Sequence, residues 1–82
     1  MKRVFFRPQA VRELQRLENR DRELIEQAIE RFAEKGIGDV KMLAGAERQY
    51  RLRAGDWRIR FLAEPADIIR ILHIRHRREA YR

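Results

Sequence analysis

Four arginines within ten residues, Arg51, Arg53, Arg58 and Arg60, set the chemistry open to this chain. They alternate with Tyr50, Leu52, Trp57, Ile59 and Phe61 on either side of Ala54-Gly55-Asp56. Alternation of apolar and basic residues predicts two strands joined by a tight turn. Successive side chains of a strand point to opposite faces, so the apolar residues share one face and the four arginines the other. Guanidinium groups crowded on one sheet face repel one another unless an anion sits among them. The stretch itself puts no acid on that face, whereas a merely solvated surface mixes both signs. The expectation is a phosphate-binding surface. Near the C-terminus, Arg75-His76-Arg77-Arg78-Glu79-Ala80-Tyr81-Arg82 adds guanidiniums, an imidazole and a phenol directly after an apolar strand.

Length and composition bound the rest. A chain of 82 residues is one small domain, expected to span 1–82. There is no cysteine, hence no disulfide or thiolate metal site. His73 reads as a satisfied core or edge residue, and nothing else sits at metal-ligand spacing, so neither metal nor cofactor is expected. The start, Met1-Lys2-Arg3-Val4-Phe5-Phe6, is too short in apolar residues for a signal peptide, and no run approaches spanning length. A cytoplasmic protein without membrane association is the expectation. The formal charge of +7 is uneven: Met1 to Val40 holds nine basic and eight acidic residues, Lys41 to Arg82 eleven and five. Such a basic half points to nucleic acid or another polyanion. Arginine supplies seventeen of the twenty cations, which suits bidentate phosphate contacts. GC-rich coding would give the same excess, so the clustering carries the argument.

Around the hairpin, Arg3 to Arg7 reads as a short strand and Pro8 as the first turn of a helix. Ala10, Val11, Leu14 and Leu17 recur at helical spacing. A second helix, capped by Asn19 or Asp21, carries the stripe Leu24, Ile25, Ala28, Ile29, Phe32 and ends at Gly36. Its outer face is acidic on balance, wrong for a recognition helix in a DNA groove, so both helices are expected to cover the core. Ile37 to Gln49 reads as a loop in which Met42 and Leu43 plug the core. Glu64-Pro65-Ala66-Asp67 is a turn, and Ile68 to Arg75, apolar on both faces, a central third strand of a meander. The fold class is therefore α+β: an N-terminal strand and a helical hairpin packed on a mainly antiparallel β-meander.

This order of elements, with Tyr50-Arg51-Leu52-Arg53, Gly55-Asp56-Trp57-Arg58 and the closing His76-Arg77-Arg78-Glu79-Ala80-Tyr81, resembles the RelE/ParE superfamily of toxins from type II toxin–antitoxin systems. The resemblance spans essentially the whole chain. It implies a RelE-like fold, a cognate antitoxin as partner, and, on the RelE branch, an endoribonuclease that cuts mRNA in the A site of a 70S-type ribosome. Attack of a ribose 2′-OH on the adjacent phosphate would leave a 2′,3′-cyclic phosphate and a 5′-OH. The implied catalytic set is Arg51, Arg53, Arg58, Arg77 and Tyr81, with Arg60, His76 and Arg78 binding RNA. The best-known relatives have lysine where Arg51 and Arg53 stand. Arginine stays protonated, so these two can hold phosphate but cannot act as bases. Tyr81, a phenol with a reference pKa of ~10, and His76, an imidazole of ~6.5, remain the two proton acceptors. Two other classes stay open: a ParE-like inhibitor of DNA gyrase without ribonuclease activity, and a non-catalytic nucleic-acid-binding module.

Overall fold

Alternating apolar and basic residues pair into a hairpin in the computed structural model, which describes residues 1–45 and 47–80, with only the backbone of Ala80. Strand β3 (Gln49–Ala54) and strand β4 (Trp57–Glu64) are antiparallel, with Leu52 opposite Ile59 and Arg53 opposite Arg58. Gly55 takes φ 59° at the first central position of the two-residue turn, a backbone state glycine adopts freely and the pattern of a type II′ hairpin. Strand β5 (Ile68–His76) lies antiparallel to β4 on the far side. Strand β1 (Arg3–Phe6) adds parallel to β5, so the meander becomes a mixed sheet ordered β1-β5-β4-β3-β2. Between β1 and β4, β5 is internal, as its continuous apolar run requires.

Helix α1 (Pro8–Gln15) begins with Pro8 in its first turn, where the missing N–H leaves nothing unsatisfied. Helix α2 (Asn19–Lys35) ends at Gly36 in the left-handed conformation, whose N–H bonds the Phe32 carbonyl. Both helices cover one sheet face. Ala10, Ile25, Ile29 and Ala33 meet Leu52, Ile59, Phe61, Ile69, Ile71 and Ile74 in one cluster. Phe32 and Phe61 pack with ring centroids 5.3 Å apart. This α+β arrangement leaves the opposite sheet face free of α1 and α2. Among the described residues no helix is long and apolar enough to cross a membrane.

Several expectations are corrected. The stretch read as a loop contains strand β2 (Asp39–Met42), which completes the sheet at the β3 edge. Met42 is therefore 65% exposed rather than plugging the core. The N-cap of α2 is Glu18, without a side-chain cap bond, and Asn19 is already helical. Leu24 lies at the edge of the helical stripe and is exposed, and Ala33 takes the buried position one turn beyond Ile29. In β5 the register slips between Arg60 and Phe61, which face His73 and Ile71, so Leu72 is the extra residue of a bulge.

A candidate nucleic-acid interface on the open sheet face

Strand register arranges the open face in rows. The first row runs Asp39, Arg53, Arg58, Arg75 across β2 to β5; the second runs Lys41, Arg51, Arg60, His73. Neighbouring strands lie about 4.8 Å apart, so these cations are close enough to repel. Six of the eight positions are cationic, and the one acid, Asp39, sits at the β2 end. It lies 3.7 Å from Arg51, so the face is not acid-free as expected. At the other end Arg75 meets Glu13 of α1 at 3.7 Å. Glu13 also accepts the Ile74 N–H at 2.8 Å, closing the part of the β5 edge that β1 does not reach. Counter-charges therefore stand at both ends of the first row and none in its middle.

The four arginines share a face but differ in depth. Arg53 is exposed, its Nε donating to the Gly55 carbonyl at 3.4 Å. Arg60 is half-buried. Arg58 is only 9% exposed, contrary to the exposed residue its alternation suggests. One terminal nitrogen donates to the Gly55 carbonyl at 3.0 Å and the Trp57 carbonyl at 3.2 Å. Its Nε is buried without a partner. Arg58 thus fastens the turn, and its charge stays beneath the face as a fixed field.

Past β5, helix α3 (Arg77–Ala80) starts with the Arg77 N–H bonded to the Asp56 carbonyl at 2.7 Å. The Arg77 guanidinium lies 3.8 Å from the Asp56 carboxylate, which draws it to the hairpin turn. Arg78 is exposed. His76 is not beside the arginines. It is the register partner of Trp57, meets that indole edge-on at 5.4 Å, and lines a cleft with Asp21, Leu24 and Gln27 of α2. Strand alternation puts it on the side of Ile74, toward the helices. Tyr81 lies outside the described residues.

The imidazole that does stand on the arginine face is His73, opposite Arg60 and two residues from Arg75. It is not the satisfied residue its sequence context suggests, because Nδ1 is buried without a partner. Burial first, then the charges of Arg75 and Arg60, push its pKa below the ordinary histidine value, with Glu13 opposing. His73 is neutral at physiological pH. An orphaned buried N–H is costlier than an orphaned lone pair, so its proton belongs on Nε2. Sequence alternation puts His73 on the side of Ile71, and only the bulge at Leu72 turns it to the arginine face, so no local signal gave it away.

A family model describing the ParE toxin of type II toxin–antitoxin systems (parDE) matches residues 4–81. The chain belongs to this toxin family. Its structure is also similar to a chain of the RelB–RelE antitoxin–toxin complex from Methanococcus jannaschii, with a TM-score of 0.79 and 26% identity over 95% of each chain. The archaeal RelE–RelB complex from Pyrococcus horikoshii gives 0.78 and 26%, over 95% of this chain and 97% of that one. The isolated E. coli RelE toxin shares the fold at a TM-score of 0.77, with 21% identity over 99% and 92% of the two chains. No curated protein matches the chain. The family match and these likenesses agree on a toxin of the RelE/ParE superfamily.

Proposed function

We propose that the toxin is a ribosome-dependent endoribonuclease that cuts mRNA and so stops translation. One observation carries this reading: two adjacent rows of cations on the sheet face that α1 and α2 leave open, whose acidic partners among the described residues, Asp39 and Glu13, stand at the two ends of the first row. A phosphodiester chain laid across the rows supplies the missing anions.

In the reaction the ribose 2′-OH gives up its proton to an acceptor as its oxygen bonds to the adjacent phosphorus, the bond to the 5′-oxygen breaks, and that leaving oxygen is protonated in turn. Negative charge builds on the non-bridging phosphate oxygens. Arg53 would donate to them, and Lys41 and Arg60 would hold the flanking phosphates, while Arg51 stays with Asp39. Arg58, fixed under the turn, adds positive field without moving. His73 donates from Nε2 while staying neutral, and Arg77, tethered by Asp56, closes the end of the site. Family resemblance gives the proton transfer to Tyr81. Arginines cannot take that proton at any relevant pH. The matched archaeal structures are antitoxin–toxin complexes. A cognate antitoxin with an acidic segment would neutralise the same rows.

A second reading, gyrase inhibition without RNA cleavage, is favoured by Arg58, whose guanidinium already serves the turn carbonyls. Primer extension on a defined mRNA, with and without ribosomes, separates the two. New 5′ ends at A-site codons, present only with ribosomes and lost in Arg53→Ala, are the expected result. Intact mRNA in every lane, with loss of DNA supercoiling by gyrase, would overturn the ribonuclease reading.

A further inference from the structure

Beside the arginine rows, the next row of the same open face runs Gln49, Leu62, Arg70, Phe5 across β3, β4, β5 and β1. Phe5 is 42% exposed, whereas its neighbours Val4 and Phe6 pack against the core. Two guanidiniums stand over its ring, Arg70 at 5.5 Å and Arg3 at 5.9 Å from the centroid. Arg70 is pinned by a two-point ion pair to Glu64, at 2.6 and 3.0 Å. Arg3 is exposed and has no acidic partner among the described residues. A fixed cation, a movable cation and a partly exposed aromatic ring thus lie at one corner of a cationic face.

We propose that Phe5, with Arg3 and Arg70, is a base-stacking platform for single-stranded RNA whose phosphates cross the Arg53–Arg60 rows. The inference rests on the ribonuclease reading and adds to it a contact remote from the scissile phosphate. From Arg60 to Phe5 is two strand spacings and one row, about 12 Å on the diagonal, a span a short single strand crosses. His73 and Arg70 line the way on β5. Every base has a π-face, so an aromatic platform holds RNA without reading its sequence, and Arg3 swings from the ring to the phosphate beside the stacked base. The excess of cations on the face selects a polyanion, and the exposed ring selects one that carries aromatic bases. An acidic peptide shares the charge and lacks the bases.

The test is binding of a short single-stranded oligoribonucleotide, followed by anisotropy, to wild type, Phe5→Leu, Phe5→Tyr and Arg53→Ala, each checked for an unchanged melting temperature. Phe5→Leu keeps apolar cover and removes the ring. It is expected to weaken binding on the order of tenfold, with Phe5→Tyr close to wild type. In Phe5→Trp the new indole should be quenched by RNA and not by polyglutamate. Binding that depends on Arg53 but is the same in Phe5→Leu overturns the platform and leaves the ribonuclease reading standing. Absence of Arg53-dependent RNA binding overturns both. Polyglutamate binding with the same Phe5 dependence reassigns the corner to an acidic peptide and also overturns the platform.

Discussion

The salt dependence of RNA binding gives the most direct test of the open face. Of the six cations in its two arginine rows, Arg58 is buried against the turn carbonyls, Arg51 is paired with Asp39, and Arg75 is paired with Glu13. Lys41, Arg53 and Arg60 are left to displace counterions from a single strand. Each phosphate so neutralised contributes a slope of about −0.7 in log K against log salt, so three give about −2. Arg53→Ala removes one contact and should flatten the slope to about −1.4. Between about 50 and 200 mM salt the wild-type affinity then falls roughly 18-fold, and that of the variant roughly sevenfold. Anisotropy titrations at four salt concentrations resolve this difference. A wild-type slope near zero would mean that the rows do not meet phosphate. A slope of about −3.5, equal to five contacts, would mean that Arg51 and Arg75 leave Asp39 and Glu13 for the RNA, and the count of three would fail. An unchanged slope in Arg53→Ala would remove Arg53 from the interface.

Two further outcomes follow from burial. Arg58→Ala takes the donor from the Gly55 carbonyl and opens space under the turn, partly offset by loss of a buried charge, so a net loss of about 1–3 kcal/mol is expected. In a chain this size that lowers Tm by roughly 5–20 °C, and a shift under about 2 °C would show that Arg58 does not hold the turn. His73 has its folded pKa pushed below the unfolded value of ~6.5. Stability is therefore complete above that pH and is lost as pH falls from there toward the folded pKa, where protonation would charge a half-buried ring between two arginines. Thermal melts from about pH 7.5 to 5.5 should decline in wild type and be flatter in His73→Gln; identical curves would contradict the assignment. The Glu64 carboxyl, held below its ordinary range by the Arg70 hydrogen bond, loses its contribution only at more acidic pH.

What the sequence made legible was periodicity. The hairpin, its two faces, the proline-initiated α1 and the glycine-terminated α2 all follow from spacing and from two residues with special backbone needs. Strand β2 was invisible because Asp39-Val40-Lys41-Met42 offers only Val40 to the core and follows Gly36 and Gly38. Its strand conformation comes from pairing with β3, a tertiary cause that local propensity cannot show. Alternation also assigns a face and says nothing of depth, so Arg53 and Arg58 look equivalent in sequence and are not in the fold. His76 was readable and missed: it has the same parity as Ile74, which faces the helices. His73 was harder, because the bulge at Leu72 breaks the parity that links it to Ile71.

The turn Gly55-Asp56 explains why a hairpin this short can organise so much of the site. The Gly55 carbonyl receives Arg53 and Arg58, and Asp56 receives the Arg77 N–H and faces its guanidinium. Three arginines, from β3, β4 and α3, thus converge on two residues. Each carbonyl so used is one that a turn exposes, and each arginine so held keeps its charge while losing rotamer freedom. The cations are therefore ordered before any anion arrives, which reduces the entropy lost when one binds. The same convergence makes the site sensitive to Gly55. Its positive φ disfavours any side chain, and a Cβ there would meet the Leu24 side chain at 3.2 Å, so a side chain at Gly55 disturbs the turn and the edge of α2 together, and with them the arginines the turn holds.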